Sequence, residues 1–357
     1  MSDTSSSSED PASDKPSVRP IAAEEVLPPV EPPTMGFVFQ LFVIPAIIVT
    51  IIAVVWVMFS WLAHMGNSPE KMITDLESGR GDPWQYAWNL ASELGKPGNE
   101  SLKRDHATAE RLGDFLVRHL EAGNTDEYDT KLRLFLARAL GEFQVTDGLP
   151  SLILAVTTER NENELEVRQS ALEAIAVLTG NVGADAMLED DDLMPALQQA
   201  AGQASDSVDH GEQRSALRSV AAYAMGVLGN DESLDSLELL LSDAHPNVRY
   251  NAATGLARNG DERAIRVLLE MLDTEDPRGI ESEEFVSGRD FKRALITVNA
   301  LRAVSELASR NADSDLAELD SAIDRLLAGD VDNKVVLINA KQAKSKLAER
   351  PLAASGS

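Results

Sequence analysis

The stretch LDSLELLLSDAHPNVRYNAATGLARNGDERAIRVLLEMLD, residues 234–273, decides the fold. Near its end, Ile265, Leu268, Leu269 and Leu272 recur at i, i+3, i+4 and i+7, so they share one face of a helix. Before them, Val248, Ala252, Ala253 and Leu256 form a second such face. Asn259-Gly260 stops that helix, because a left-handed residue at the end favours Gly or Asn. Asp261 then stands where a side-chain oxygen can take the first orphan N–H groups of the next helix. Two short helices joined by a tight turn cannot bury both apolar faces alone. They bury them by stacking on copies of themselves.

The copies are present. NVRYNAATGLARNGD aligns without gaps on ALRSVAAYAMGVLGN, residues 216–230. Arg249 falls on Arg218, Ala252-Ala253 on Ala221-Ala222, Leu256 on Met225 and Gly260 on Gly229. KLRLFLARALGEF (131–143) fits with Arg133, Ala137 and Leu140, and EVRQSALEAIAVL (166–178) with Arg168, Leu172 and Ile175. WQYAWNLASEL (84–94), LITVNALRAVSEL (295–307) and VVLINAKQAKSKL (335–347) are looser copies. GLPSLILAV (148–156) and LMPALQQAA (193–201) are preceding partners, with Pro150 and Pro195 in the first turn, where a missing N–H costs nothing. The pattern predicts an all-α, α-α solenoid of about seven helix pairs over 65–349. Two acidic insertions, 181–192 and 274–290, break the period. Insertions collect on one face of such stacks, often the binding face.

An acidic residue, Val-Arg, a small pair and Leu, repeated in this way, resemble the HEAT repeats of bacteria, of the kind associated with phycobilin lyases. In that family an acidic residue and a basic one six positions later form a ladder between neighbouring repeats. The resemblance implies such a ladder from Glu127 and Arg133, Glu162 and Arg168, Glu212 and Arg218, and Asp243 and Arg249. Thr297 and Leu337 stand where the later repeats should carry Arg, as expected of atypical end repeats.

Upstream, GFVFQLFVIPAIIVTIIAVVWVMFSWLA runs from Gly36 to Ala63 without a charge. About 20 apolar residues cross a bilayer core, so 35–64 reads as one transmembrane helix preceding the solenoid. Phe37, Phe39 and Phe42 mark one end, Trp56 and Trp61 the other, where indole rings favour the interface, and Pro45 predicts a kink. Gln40, Thr50 and Ser60 are candidates for bonds to a neighbouring helix. The flanking cations tie, Lys15 and Arg19 against Lys71 and Arg80. The short acidic tail is the easier piece to translocate, which favours a cytoplasmic solenoid. Residues 1–34 are Ser-, Pro- and acid-rich and read as a disordered tail, as do 350–357.

The net charge is −27 and the chain has no cysteine. The first excludes a nucleic-acid binder; it favours basic protein segments as partners, or else is a solvated acidic surface or an adaptation to salt. The second excludes disulfides, thiolate nucleophiles and Cys-ligated metal. His64, His106, His119, His210 and His245 are scattered, without metal-ligand spacing. Glu189–Asp192 reads as a solvated acidic loop, and 311–322 lacks the Gly and terminal Glu of an EF-hand. No phosphate-binding loop, dinucleotide fingerprint or nucleophile elbow is present. Trp84, Tyr86 and Trp88 read as core of the first pair, or else as a partner-facing patch. No cofactor, metal or small-molecule substrate is expected. The expected function is a single-pass, membrane-anchored scaffold or adaptor for proteins. The alternatives are an enzyme or enzyme subunit of the phycobilin-lyase type, implied by the resemblance, and a structural subunit of a larger membrane complex.

Overall fold

The computed structural model describes residues 35–64, 68–79, 81–161, 164–202, 211–329 and 333–350; among helical residues, the side chains of 37–38, 60–64 and 211–213 are also outside the description. The expected tails, 1–34 and 351–357, fall outside it, as do Glu162 and His210. The chain divides into two compact units, Met1–Met65 and Gly66–Ser357.

In the first unit, helix Met35–Val38 continues through a π-helical turn, Phe39–Val43, into helix Ile44–His64. The π turn lies just before Pro45, which has no N–H to donate to the carbonyl four residues back and crowds it with its ring. A wider turn relieves both problems. Phe39–Phe59 is long and apolar enough to cross a membrane, and none of it is covered by protein. Thr50 donates its hydroxyl to the Ala46 carbonyl at 2.7 Å, so its polar atom is satisfied within its own helix rather than by a neighbour.

The second unit is all helix among its described residues. Fourteen helices form seven consecutive pairs. They are α1 (Pro69–Glu77) with α2 (Pro83–Leu94), α3 (His106–Ala122) with α4 (Glu127–Gly141), and α5 (Leu149–Thr157) with α6 (Glu164–Val182). Next come α7 (Leu193–Gly202) with α8 (Gly211–Leu228), and α9 (Asp231–Leu240) with α10 (Pro246–Arg258). The last are α11 (Ile265–Leu272) with α12 (Val286–Arg310), and α13 (Ala317–Ala328) with α14 (Lys334–Ala348). Each even helix packs on the next even helix from α2 to α14. The first helices form a second layer, α3 on α5 on α7 on α9 and α11 on α13. The core runs between the layers as one continuous cluster from Met72 to Ala343.

Sequence explains the close layer. Small residues fill the even helices at the positions where backbones meet: Ala137, Ala171, Ala221-Ala222, Ala252-Ala253, Ala300 and Ala340 are fully or nearly fully buried. The tightest approach is at Gly226 and Gly255, where a Cβ on Gly226 would fall 2.6 Å from the Gly255 Cα. Turn chemistry is as the residues dictate. Asp126, Asn230 and Asp261 each accept a backbone N–H at a helix start, and Gly123, Gly229 and Gly260 take positive φ at helix ends.

Candidate interaction surface and the contacts that hold it

The arginine at the start of each central even helix faces inward. Arg133 is 0% exposed and donates through Nη1 to both carboxylate oxygens of Glu164, also 0% exposed, at 2.9 and 2.8 Å. Its Nε meets Asp129 Oδ2 at 3.0 Å, and its Nη2 donates to the Asn124 carbonyl. Arg168 donates to the Val156 carbonyl at 2.7 Å and pairs with Glu159 at 2.8 Å, which Arg214 of the next repeat meets at the same distance. Arg218 grips Asp243 of the following repeat at 2.8 and 3.3 Å. Arg249 donates to the Asp243 and Ala244 carbonyls and pairs with Glu270. Each guanidinium ties the loop inside a pair, a neighbouring repeat, or both. Burial alone would raise the Glu159 carboxyl, but Arg168 and Arg214 together hold it below the usual range.

Of the implied ladder, the structure brings Arg218 to Asp243 and Arg249 to the Asp243 backbone. It does not bring Glu127 to Arg133. Glu127 occupies the first, solvated position of α4 and pairs with Lys131 at 2.6 Å; Asp129 and Glu164 point inward in its place. Glu162 and the Glu212 side chain lie outside the described residues. Arg293, one turn before Thr297, does in α12 what the expected Arg would do: it donates to the Thr274 and Asp276 carbonyls. Thr297 is buried and bonds back to the Arg293 carbonyl.

A second ladder escaped the sequence reading. Asn181 donates to the Gly141 carbonyl at 3.1 Å, Asn259 to Gly226 at 2.9 Å and Asn311 to Gly260 at 2.9 Å. Asn181 and Asn259 satisfy orphan carbonyls in the last turn of the preceding even helix, and Asn311 the carbonyl of Gly260 in the turn just after it. The signal was the Asn at or just after the end of these helices: Asn259 reads as an ordinary helix stop, and Asn181 and Asn311 open stretches read as an insertion and a loop.

The insertions are folded. In 181–192 the helix Ala184–Met187 buries Met187. In 274–290 the second part is already helical, as the first turns of α12, and Ile280 is buried. Gly279 there lies against Tyr250, whose proton is held far above the usual tyrosine range by burial and then by Glu270.

Trp84 stacks on Phe135 at 6.4 Å and Tyr86 packs on the core. Trp88, however, is 50% exposed, because α2 turns Ala87, Leu90 and Leu94 inward and carries Trp88 past that face. His106 bonds to Asp147 at 2.7 Å and His119 to Asp129 at 2.6 Å, while His245 sits at the start of α10 with its N–H on Asp243. Among the described residues no three His, Cys, Asp or Glu side chains gather as metal ligands would. Phe39, Phe42 and Trp56 are exposed along the apolar helix, and the side chains of Phe37 and Trp61 lie outside the description. Arg350, expected in the C-terminal tail, instead donates to the Asn311, Ala312 and Ser314 carbonyls and ties the chain to the α12–α13 turn.

Residues 210–284, covering α8 to α11 and the loop after it, match the family model of HEAT repeats. The chain contains HEAT repeats. No curated protein matches it. Among solved structures, a designed armadillo repeat protein is similar at 19% identity and a TM-score of 0.37, over 72% of this chain and 98% of that one. The arginine and asparagine contacts above link one helix pair to the next, within this matched segment and on either side of it.

Proposed function

We propose that this HEAT-repeat chain is a membrane-anchored scaffold that holds other proteins. The observation that carries the reading is the stack itself: seven helix pairs joined from repeat to repeat by buried arginine and asparagine contacts. Solenoids of this kind offer long surfaces to protein partners. The helix Phe39–Phe59, apolar and uncovered, supports the bilayer as its surroundings. An anchor of this kind concentrates whatever the repeats bind. The net charge of −27 favours partners with basic segments.

The test is capture of the full chain from its native membranes in moderate salt, after carbonate washing. The reading expects the chain to stay with the membrane pellet and to recover a reproducible set of proteins beyond an unrelated anchored control. Release by carbonate removes the anchor from the account, and a set no different from the control removes the scaffold.

A further inference from the structure

The connection between α11 and α12, residues 273–285, is built unlike a simple turn. Arg293 holds its start through the Thr274 and Asp276 carbonyls, and Arg278 pairs with Asp276 and, at 3.7 Å, with Glu270. This anchored loop borders an open trough of about 820 Å³ between α11 and α13. Leu269, Leu272, Ala322 and Leu326, buried or half-buried, make its apolar floor. Asp273, Glu275 and Glu318, all exposed, stand at its edges, with Arg325 as the one cation on the lining. Its volume lies within the range of ligand sites, but its openness to solvent suits a length of chain rather than an enclosed small molecule.

The far end of the same loop leads into the first turns of α12, where Ala294 and Ile296 pack on the core but the larger apolar side chains before them do not. Phe285 is 73% exposed, Val286 71% and Phe291 68%, with Leu295 exposed one turn on. Phe291 and Leu295, at i and i+4, share one face of α12, with Phe285 at its start, and uncovered apolar side chains set together in this way mark an interaction surface. Glu281, Glu284 and Asp290 are exposed among them. The local cations are engaged: Arg289 donates to the Glu283 carbonyl at 2.7 Å and Lys292 pairs with Glu283 at 3.3 Å. Apolar groups edged by carboxylates that outnumber the nearby Arg289, Arg293 and Arg325 are complementary to one chemistry, apolar side chains flanked by Lys or Arg.

We propose that the trough and the adjoining start of α12 dock a basic, apolar-faced segment of a partner protein. The acidic edges select the cations, and the leucine floor and the phenylalanines take the apolar face. This rests on the scaffold reading and names the place and the chemistry of its partner.

The probe is a synthetic peptide with Leu at i, i+3, i+4 and i+7 and Lys elsewhere, titrated onto the detergent-solubilised full chain. Two controls replace Lys by Glu or Leu by Ser. The Lys/Leu peptide is expected to bind at least tenfold more tightly than either control. It should protect backbone amides of 269–295 and 317–326 from hydrogen exchange. At least one of E275K/E318K and F285S/F291S, with unchanged circular dichroism, should weaken it tenfold or more. Binding that neither double variant changes, or protection elsewhere, overturns the proposal. So does self-association of the chain that F285S/F291S abolishes, since the occupant is then a second copy. If native membranes yield the same partners with wild type and both variants, this inference fails and the scaffold stands. If they yield none while the peptide binds as expected, the scaffold fails and the site stands.

Discussion

Arg133 and Glu164 form an ion pair with neither side chain exposed, and two predictions belong to that scale. Removing one partner of such a pair strands a buried charge, so E164A should destabilise the repeats by about 3–5 kcal/mol, measured by urea unfolding. Replacing both together, as R133M/E164L, should recover part of that loss, because the desolvation cost of two charges goes with them while the buried Asp129 keeps only His119 as its partner. A double variant as unstable as E164A would show that the pair is not what this part of the core depends on. Glu159 supplies a pH dependence. Its lowered pKa means that its contribution is complete above the ordinary value of 4.5 and fades as the pH falls through the lower native value. E159Q should therefore melt roughly 2–4 °C below wild type at neutral pH, and the gap should close as the pH falls below the ordinary carboxylate range. A gap that persists in acid would assign the effect to packing. At this scale the sequence was only half legible. The inward arginines were visible as a recurring residue, but which carboxylate each one meets depends on side-chain direction at a helix start, as Glu127 and Asp129 show. Arg293 was invisible because it comes one turn before the expected position, on a helix longer than the others.

Among elements, the packing of α8 on α10 rests on two glycines facing each other. G226A should push the helices apart and cost about 1–3 kcal/mol, since a methyl group there overlaps the Gly255 Cα. Gly180 in α6 has nothing within 4 Å of its would-be Cβ, so G180A should stabilise by about 0.5–1 kcal/mol through helix propensity alone. Thermal melts of the two variants should move in opposite directions; a stabilising G226A would refute the close approach. Helix pairs, their starts at Pro150, Pro195 and Asp261 and their stops at Gly229 and Gly260 were all legible, because each follows from periodicity and turn chemistry within a few residues. The π turn before Pro45 and the length of α12 were not. A proline announces a disturbance without saying how the backbone resolves it, and apolar periodicity fades in α12 where its first turns are uncovered.

At the scale of the whole molecule, a HEAT-repeat stack and an uncovered apolar helix share a chain of net charge −27. Repetition made the stack legible, since the same residues appear several times and any one copy corrects the reading of another. The partner is not legible in that way, because nothing in the chain repeats it. Long-range attraction between an acidic solenoid and basic partners is screened over about 8 Å at physiological ionic strength. Capture should therefore weaken steadily as salt is raised, and partners retained equally at about 1 M salt would point to apolar contact alone. The most direct measurement is proximity labelling in the native membrane, with the labelling enzyme fused after Ser357 and the products read by mass spectrometry. A membrane-anchored scaffold predicts a short, reproducible set of labelled proteins, enriched in basic or membrane proteins over an unrelated anchored control. A diffuse set matching that control would contradict it.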